Sequence, residues 1–195
     1  MRIIGGKLSG RRFDAPQGRA TRPTSDRVRE ALGSALESRG AFDGAHVLDL
    51  FAGTGALSFE ALSRGASAAV LVDADPRVLR QVLQSAAKLG LASQVHAIRA
   101  DLLGDSSAVV RRIPRVTGGF DLVFADAPYS HTDSVPGLLT ELIRSQHLGD
   151  GAWVAVEHAA NYDWIWPNGL ASDTEYRYGQ TRVSLGSLVP EKGSQ

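Results

Sequence analysis

The chain has no cysteine among its 195 residues. That excludes a disulfide framework, a thiolate-ligated zinc site and a cysteine nucleophile. No His/Asp/Glu cluster has metal-ligand spacing, so a metal is not implied. No apolar run approaches the ~20 residues of a membrane span. The opening MRIIGGKLSGRR lacks the apolar centre of a signal peptide, and a soluble cytoplasmic protein is expected. Net charge is also missing, since 21 Lys and Arg balance 21 Asp and Glu. What the chain does have is length enough for one domain, which at this size buries roughly 70% of its unfolded surface and needs no staple.

The charge is unevenly distributed. Residues 1–30 carry Arg2, Lys7, Arg11, Arg12, Arg19, Arg22, Arg27 and Arg29 against Asp14, Asp26 and Glu30, and the rest of the chain carries the compensating negative charge. A basic leading segment on an acidic body suits an arm that contacts nucleic-acid phosphates, although a solvated surface run has the same composition.

Along the chain, residues 1–13 alternate weakly around Gly5, Gly6 and Gly10 and suggest a short glycine-rich hairpin. Val28, Ala31, Leu32, Ala35 and Leu36 recur at helical spacing behind Thr24-Ser25-Asp26, which predicts a helix over about 25–38. Short apolar runs then alternate with helical stretches. Strands are expected at 46–50, 68–72, 95–99, 120–125 and 152–156, and helices at about 56–64, 76–89 and 135–144. Two further strands near 173–178 and 181–188, joined around Gly179, read as a hairpin. The alternation predicts an α/β fold whose parallel sheet is covered on both faces. A hairpin-and-helix appendage is expected over 1–40 and the main domain over 41–190.

The sharpest local feature is Asp49-Leu50-Phe51-Ala52-Gly53-Thr54-Gly55, directly after the first strand. Glycines there let backbone approach a cofactor closely and leave helix N–H groups pointing at it. A dinucleotide turn would carry a third glycine where Ser58 stands. Asp49 would repel a pyrophosphate and suits a cationic amino-acid moiety such as that of S-adenosylmethionine. Asp73 ends the second strand, where a carboxylate can accept from ribose hydroxyls, with Asp75 as the neighbouring alternative or as a helix cap. Asp101 follows the third strand, within reach of an adenine amino group. Each is an ordinary strand-end carboxylate by itself; three in succession make a pattern.

After the fourth strand comes Asp126-Ala127-Pro128-Tyr129. An exocyclic amine on a nucleobase is a poor nucleophile because its lone pair is delocalised into the ring. A carboxylate and a backbone carbonyl accepting its two hydrogens would free that lone pair. Proline restrains the loop, and the tyrosine face can stack on an extruded base, worth roughly 1–3 kcal/mol. The missing cysteine also argues against methylation at a pyrimidine carbon, which ordinarily uses a cysteine adduct. His131 and His158 read as loop and structural histidines, with a general-base role for His131 as the alternative; Trp153, Trp164 and Trp166 read as packing.

Asp49–Gly55 with Asp126–Tyr129 resembles the class I methyltransferases that act on amino nitrogens. The leading RIIGGKLSGRRFDAP, the following RPTSDRVREAL and the late Tyr178-Gly179-Gln180-Thr181 resemble the RsmD family of small-subunit ribosomal RNA guanine-N2 methyltransferases, over nearly the whole chain. The resemblance implies a seven-stranded class I sheet with a C-terminal antiparallel hairpin. It implies S-adenosylmethionine held by Asp49, Phe51, Gly53, Gly55, Asp73 and Asp101, and a target base held by Asp126, Ala127, Pro128 and Tyr129. Arg2, Lys7, Arg11, Arg12, Arg22, Arg27 and Arg29 would then face ribosomal RNA, within a ribosomal particle. The chain departs from the family at Ala127, where proline is usual; Pro128 still biases Ala127 toward an extended conformation, and activity is expected to survive. Adenine-N6 methylation, an RNA-binding assembly factor without catalysis, and a nicotinamide oxidoreductase are the competing readings.

Overall fold

The computed structural model describes residues 1–14 and 26–190. The described residues form twelve α-helices and strands, all but α4 at places the sequence predicts: α1 (Asp26–Glu37), β1 (His46–Leu50), α2 (Ala56–Arg64), β2 (Ala68–Asp73), α3 (Pro76–Leu89), β3 (Val95–Arg99), α4 (Ser106–Val110), β4 (Phe120–Ala125), α5 (Val135–Arg144), β5 (Leu148–Ala159), β6 (Leu170–Tyr178) and β7 (Thr181–Leu188). The strands form one sheet of order β3-β2-β1-β4-β5-β7-β6. The first five are mutually parallel, and β7 runs antiparallel to both β5 and β6. Strand order reverses between β1 and β4, which is where ligands of open α/β sheets sit, outside the carboxyl ends of the strands.

Local chemistry explains the boundaries. The Asp75 side chain accepts from Arg77 N, Pro76 opens α3 and Gly90 closes it in the left-handed region. Apolar side chains from both faces of the sheet enter two buried clusters. One contains Val47, Leu71, Leu122 and Val183 under α1–α3, and the other contains Leu48, Val72, Val123 and Val154 under α4 and α5. Ile3, Phe13, Val28 and Leu32 belong to the first cluster, so residues on both sides of the boundary expected near 40 share it.

The leading segment is more tightly anchored than a hairpin arm. Among the described residues it is closed by a single antiparallel bridge, Arg2 to Arg12, around a 3₁₀ turn at Gly6–Leu8. Its backbone docks on α2. The buried Glu60 carboxylate accepts from the N–H groups of Ile4 and Gly5, and the Ser63 hydroxyl accepts from Leu8 N. A Cβ at Gly6 would stand 2.0 Å from the Ser63 carbonyl oxygen, at a φ of +73°. Gly6→Ala is therefore expected to cost about 2–4 kcal/mol, from overpacking plus left-handed strain. Chemical denaturation would read this, with Lys7→Ala, at an exposed position, shifting stability by less than ~0.5 kcal/mol.

Candidate active site

The glycine turn and the tetrapeptide are brought together by strand pairing. Leu50 of β1 is in register with Ala125 of β4, so Phe51 and Asp126 leave the sheet side by side. Phe51 takes a φ of +61°, rare for a residue with a side chain, and Gly53 and Gly55 follow at +52° and +74°. A Cβ at Gly53 would meet only the Phe51 carbonyl, at 3.7 Å, so that glycine leaves open space at the loop. Gly55 is the N-cap of α2 and packs against Leu71 and Phe59.

A cavity of about 720 Å³ opens at this edge of the sheet, within the size range of ligand sites. Its lining includes Asp49, Phe51, Gly53, Asp73 and Asp101 together with Asp126, Ala127, Pro128, Tyr129 and Glu157. Gly55 lies behind the loop as the cap of α2. This set of acceptors suits S-adenosylmethionine, which offers a cationic amine, ribose hydroxyls and an adenine amino group to carboxylates.

Asp49 is 1% exposed, and the Ser58 hydroxyl donates to its Oδ2 over 2.6 Å. Burial pushes its carboxyl up to about 7, against the Ser58 bond, with the nearby Asp126 and Asp73 charges adding to the rise. A cation in the cavity would favour the ionised form. Ser58, which the sequence presents as a missing glycine, is thus the partner of the central carboxylate. Asp73 Oδ2 accepts from Gly53 N over 3.1 Å and Oδ1 accepts from Asp75 N over 2.9 Å, so this carboxylate also pins the glycine turn. Asp75 is the α3 cap. Asp101 Oδ1 accepts from Leu103 N, and Leu103 itself, 48% exposed, lines the cavity beside Leu102. That apolar pair was legible only as the two leucines following Asp101.

In the tetrapeptide, Ala127 is buried within the cluster that also holds Val135 and Leu138, so packing restrains the position where a second proline would have stood. The Pro128 carbonyl accepts from His131 N over 2.7 Å and closes the turn. The Tyr129 hydroxyl lies 2.6 Å from Thr181 Oγ1 and 3.5 Å from Glu157 Oε1. Glu157 and Thr181 were not among the expected site residues, since each is distant from the tetrapeptide in sequence. His158 Nε2 pairs with the Ser184 hydroxyl inside the protein, and Trp164 stacks on its ring, in line with structural roles.

The basic residues divide. Arg2 pairs with Asp26 and Arg11 donates to the carbonyls of Lys88 and Leu89 at the end of α3. Lys7, Arg12 and Arg27 are exposed, Arg27 at a cleft of about 350 Å³ shared with Arg177, Tyr178 and Gly179. Arg29 departs from expectation. It is 1% exposed, and its Nη2 donates to Asp26 Oδ1 and to the Arg2 carbonyl, so it braces the leading segment from inside and does not present a surface to phosphate. Arg22 lies outside the described residues. Among those residues, no group of three or more His, Asp or Glu could hold a metal ion, and no helix is long and apolar enough to cross a membrane.

A doubly covered sheet of this order, with a glycine turn after β1 and a proline-containing Asp-to-Tyr loop after β4, defines a class I methyltransferase. The chain belongs to the family described as "Conserved hypothetical protein 95", whose model matches residues 1–187. It is 35% identical to the Bacillus subtilis protein named "Putative rRNA methyltransferase YlbH" over 95% of this chain and 97% of that one. It is 36% identical to "Ribosomal RNA small subunit methyltransferase D" of Escherichia coli K12, over 87% of this chain and 77% of that one. The solved structure named "Putative methyltransferase yhhF from Escherichia coli" superposes with a TM-score of 0.79 at 31% identity, covering 98% of this chain and 99% of the other.

Proposed function

We propose that the protein transfers a methyl group from S-adenosylmethionine to the exocyclic N2 amino group of a guanine in small-subunit ribosomal RNA. One observation carries the reading: the strand-end carboxylates and the Asp126–Tyr129 loop share a single cavity, so a cofactor and a base can meet there. The names of the relatives supply the RNA class.

S-adenosylmethionine supplies an electrophilic methyl on a sulfonium centre. Asp49 would hold its amino group, the Gly53–Gly55 turn would admit its main chain, Asp73 would accept from the ribose, and Asp101 with Leu103 would meet the adenine. Asp126 would accept one hydrogen of the target amine, the Ala127 carbonyl the other, and Tyr129 would stack on the base. Most of the acceleration then comes from fixing the amine in line with the methyl.

A cytoplasmic ribosomal particle is the proposed substrate. Among the described residues of the basic leading segment, Arg29 is internal while Arg2 and Arg11 are exposed but paired within the fold, so RNA already shaped by ribosomal proteins would complete the docking surface.

The test is transfer of labelled methyl from S-adenosylmethionine to undermethylated small subunits and to free RNA, followed by nucleoside analysis. Label in N2-methylguanosine is expected. Label in N6-methyladenosine would move the substrate to adenine, and cofactor binding without transfer would leave an RNA-binding factor.

A further inference from the structure

We infer that Glu157 selects guanine over adenine, by accepting the ring N1–H while Asp126 accepts from the adjacent amine. This rests on the guanine-N2 reading above and deepens it.

The geometry starts from strand register. Ala125 of β4 pairs with Val156 of β5, and both side chains enter the cluster under α4 and α5. Alternation along the strands therefore sends the next residues, Asp126 and Glu157, to the opposite side together, at a strand spacing of about 4.8 Å. Both line the same cavity. Glu157 continues β5 opposite Val183 of β7, whereas Asp126 is the first residue beyond β4, so one carboxylate sits on a rigid ladder and the other on the catalytic loop. The Tyr129 hydroxyl reaches both Glu157 Oε1 and Thr181 Oγ1. The stacking ring and the carboxylate are consequently set relative to each other by the β5–β7 pair.

Base chemistry makes this arrangement selective. On guanine, N1–H and the N2 amine are neighbouring donors on one edge, and two carboxylates accept both. On adenine, the N6 amine is flanked by N1, a lone pair, which would face a carboxylate with no proton between them. A site built to accept a substrate N–H rejects the analogue that lacks it far more strongly than an apolar pocket rejects a change of shape. Asp126 by itself would tolerate either amine. Glu157 supplies the discrimination.

The experiment uses the nucleotide mapped by the methyl-transfer assay. That position is replaced by 2,6-diaminopurine, which keeps the 2-amino group but has no N1–H, in small-subunit RNA assembled by ligation. The wild-type enzyme is expected to favour guanine by about 10²-fold in kcat/KM. Glu157→Gln can accept from guanine N1–H or donate to the diaminopurine lone pair, so its preference is expected to fall below about tenfold, with cofactor affinity and thermal midpoint kept. Equal use of both bases by the wild type, or an unchanged preference in Glu157→Gln, would overturn the inference while leaving guanine-N2 methylation standing. Label found only in adenine would remove both.

Discussion

Asp126→Ala is expected to lower kcat for methyl transfer by about 10²–10⁴-fold, the range for removing one positioned group that handles a reacting proton or its charge. Binding of S-adenosylmethionine, measured by calorimetry, should weaken little, because Asp49, Asp73 and Asp101 approach the cavity from β1, β2 and β3 while Asp126 follows β4. Asp126→Asn separates two roles that alanine removes together. The amide oxygen still accepts a hydrogen from the target amine, so if the side chain only orients the lone pair, asparagine retains most of the activity lost in alanine. If Asp126 must also carry away the proton, the asparagine and alanine variants fall alike. A wild-type rate in Asp126→Ala would remove the residue from the mechanism. Asp49 complicates the comparison in a useful direction: the Asp126 charge raises its carboxyl, so both variants should modestly ease its ionisation.

Most of the architecture was legible because the signals that set it are local. β1, α2, α3, β3, β4 and α5 fall where periodicity, caps and glycines put them. The misses have physical causes. α4 has five residues, too few for a helical stripe, and it is held by Asp105 capping Ser107 N and by burial of Val109 and Val110. β5 begins at Leu148, earlier than its apolar run, because Gly149, Asp150 and Gly151 carry no hydrophobic signal. The glycine-rich leader is specified by Glu60 and Ser63, some 55 residues away, so its sequence announced turns without announcing what they dock on. Arg29 shows the limit of counting charge: in a basic stretch it looks like its neighbours, and only the helical phase of Val28, Leu32 and Leu36 hints that it faces inward. The carboxylates at strand ends were visible in advance because a parallel sheet collects them at one edge. Glu157 was hidden for the opposite reason, since it lies inside an extended β5, where nothing local marks one carboxylate as facing a cavity.

Asp49→Asn should change two measurements in opposite directions, and this follows from a carboxyl raised from 3.8 to about 7. The group is protonated in the folded protein at pH values where the unfolded chain has already released that proton. Its contribution to stability is therefore fully present below pH 3.8 and is lost as pH rises through about 7. At pH 8 the cofactor-free protein holds a buried, ionised Asp49 beside Asp126 and Asp73, so asparagine should raise its thermal midpoint. Cofactor binding has the reverse dependence, because a cationic amine prefers the ionised carboxylate. Affinity for S-adenosylmethionine should tighten by about tenfold between pH 6 and pH 8 in the wild type, as one group with a pKa near 7 ionises. In Asp49→Asn that dependence should flatten, and affinity at pH 8 should fall by about 10- to 100-fold through loss of a charge-assisted hydrogen bond. A pH-independent wild-type affinity would show that Asp49 does not contact the cationic group. A variant that loses both affinity and thermal stability would assign the residue to the fold, through Ser58, and not to the ligand. Gaining stability while losing the ligand is the combination that a buried carboxylate kept for binding requires.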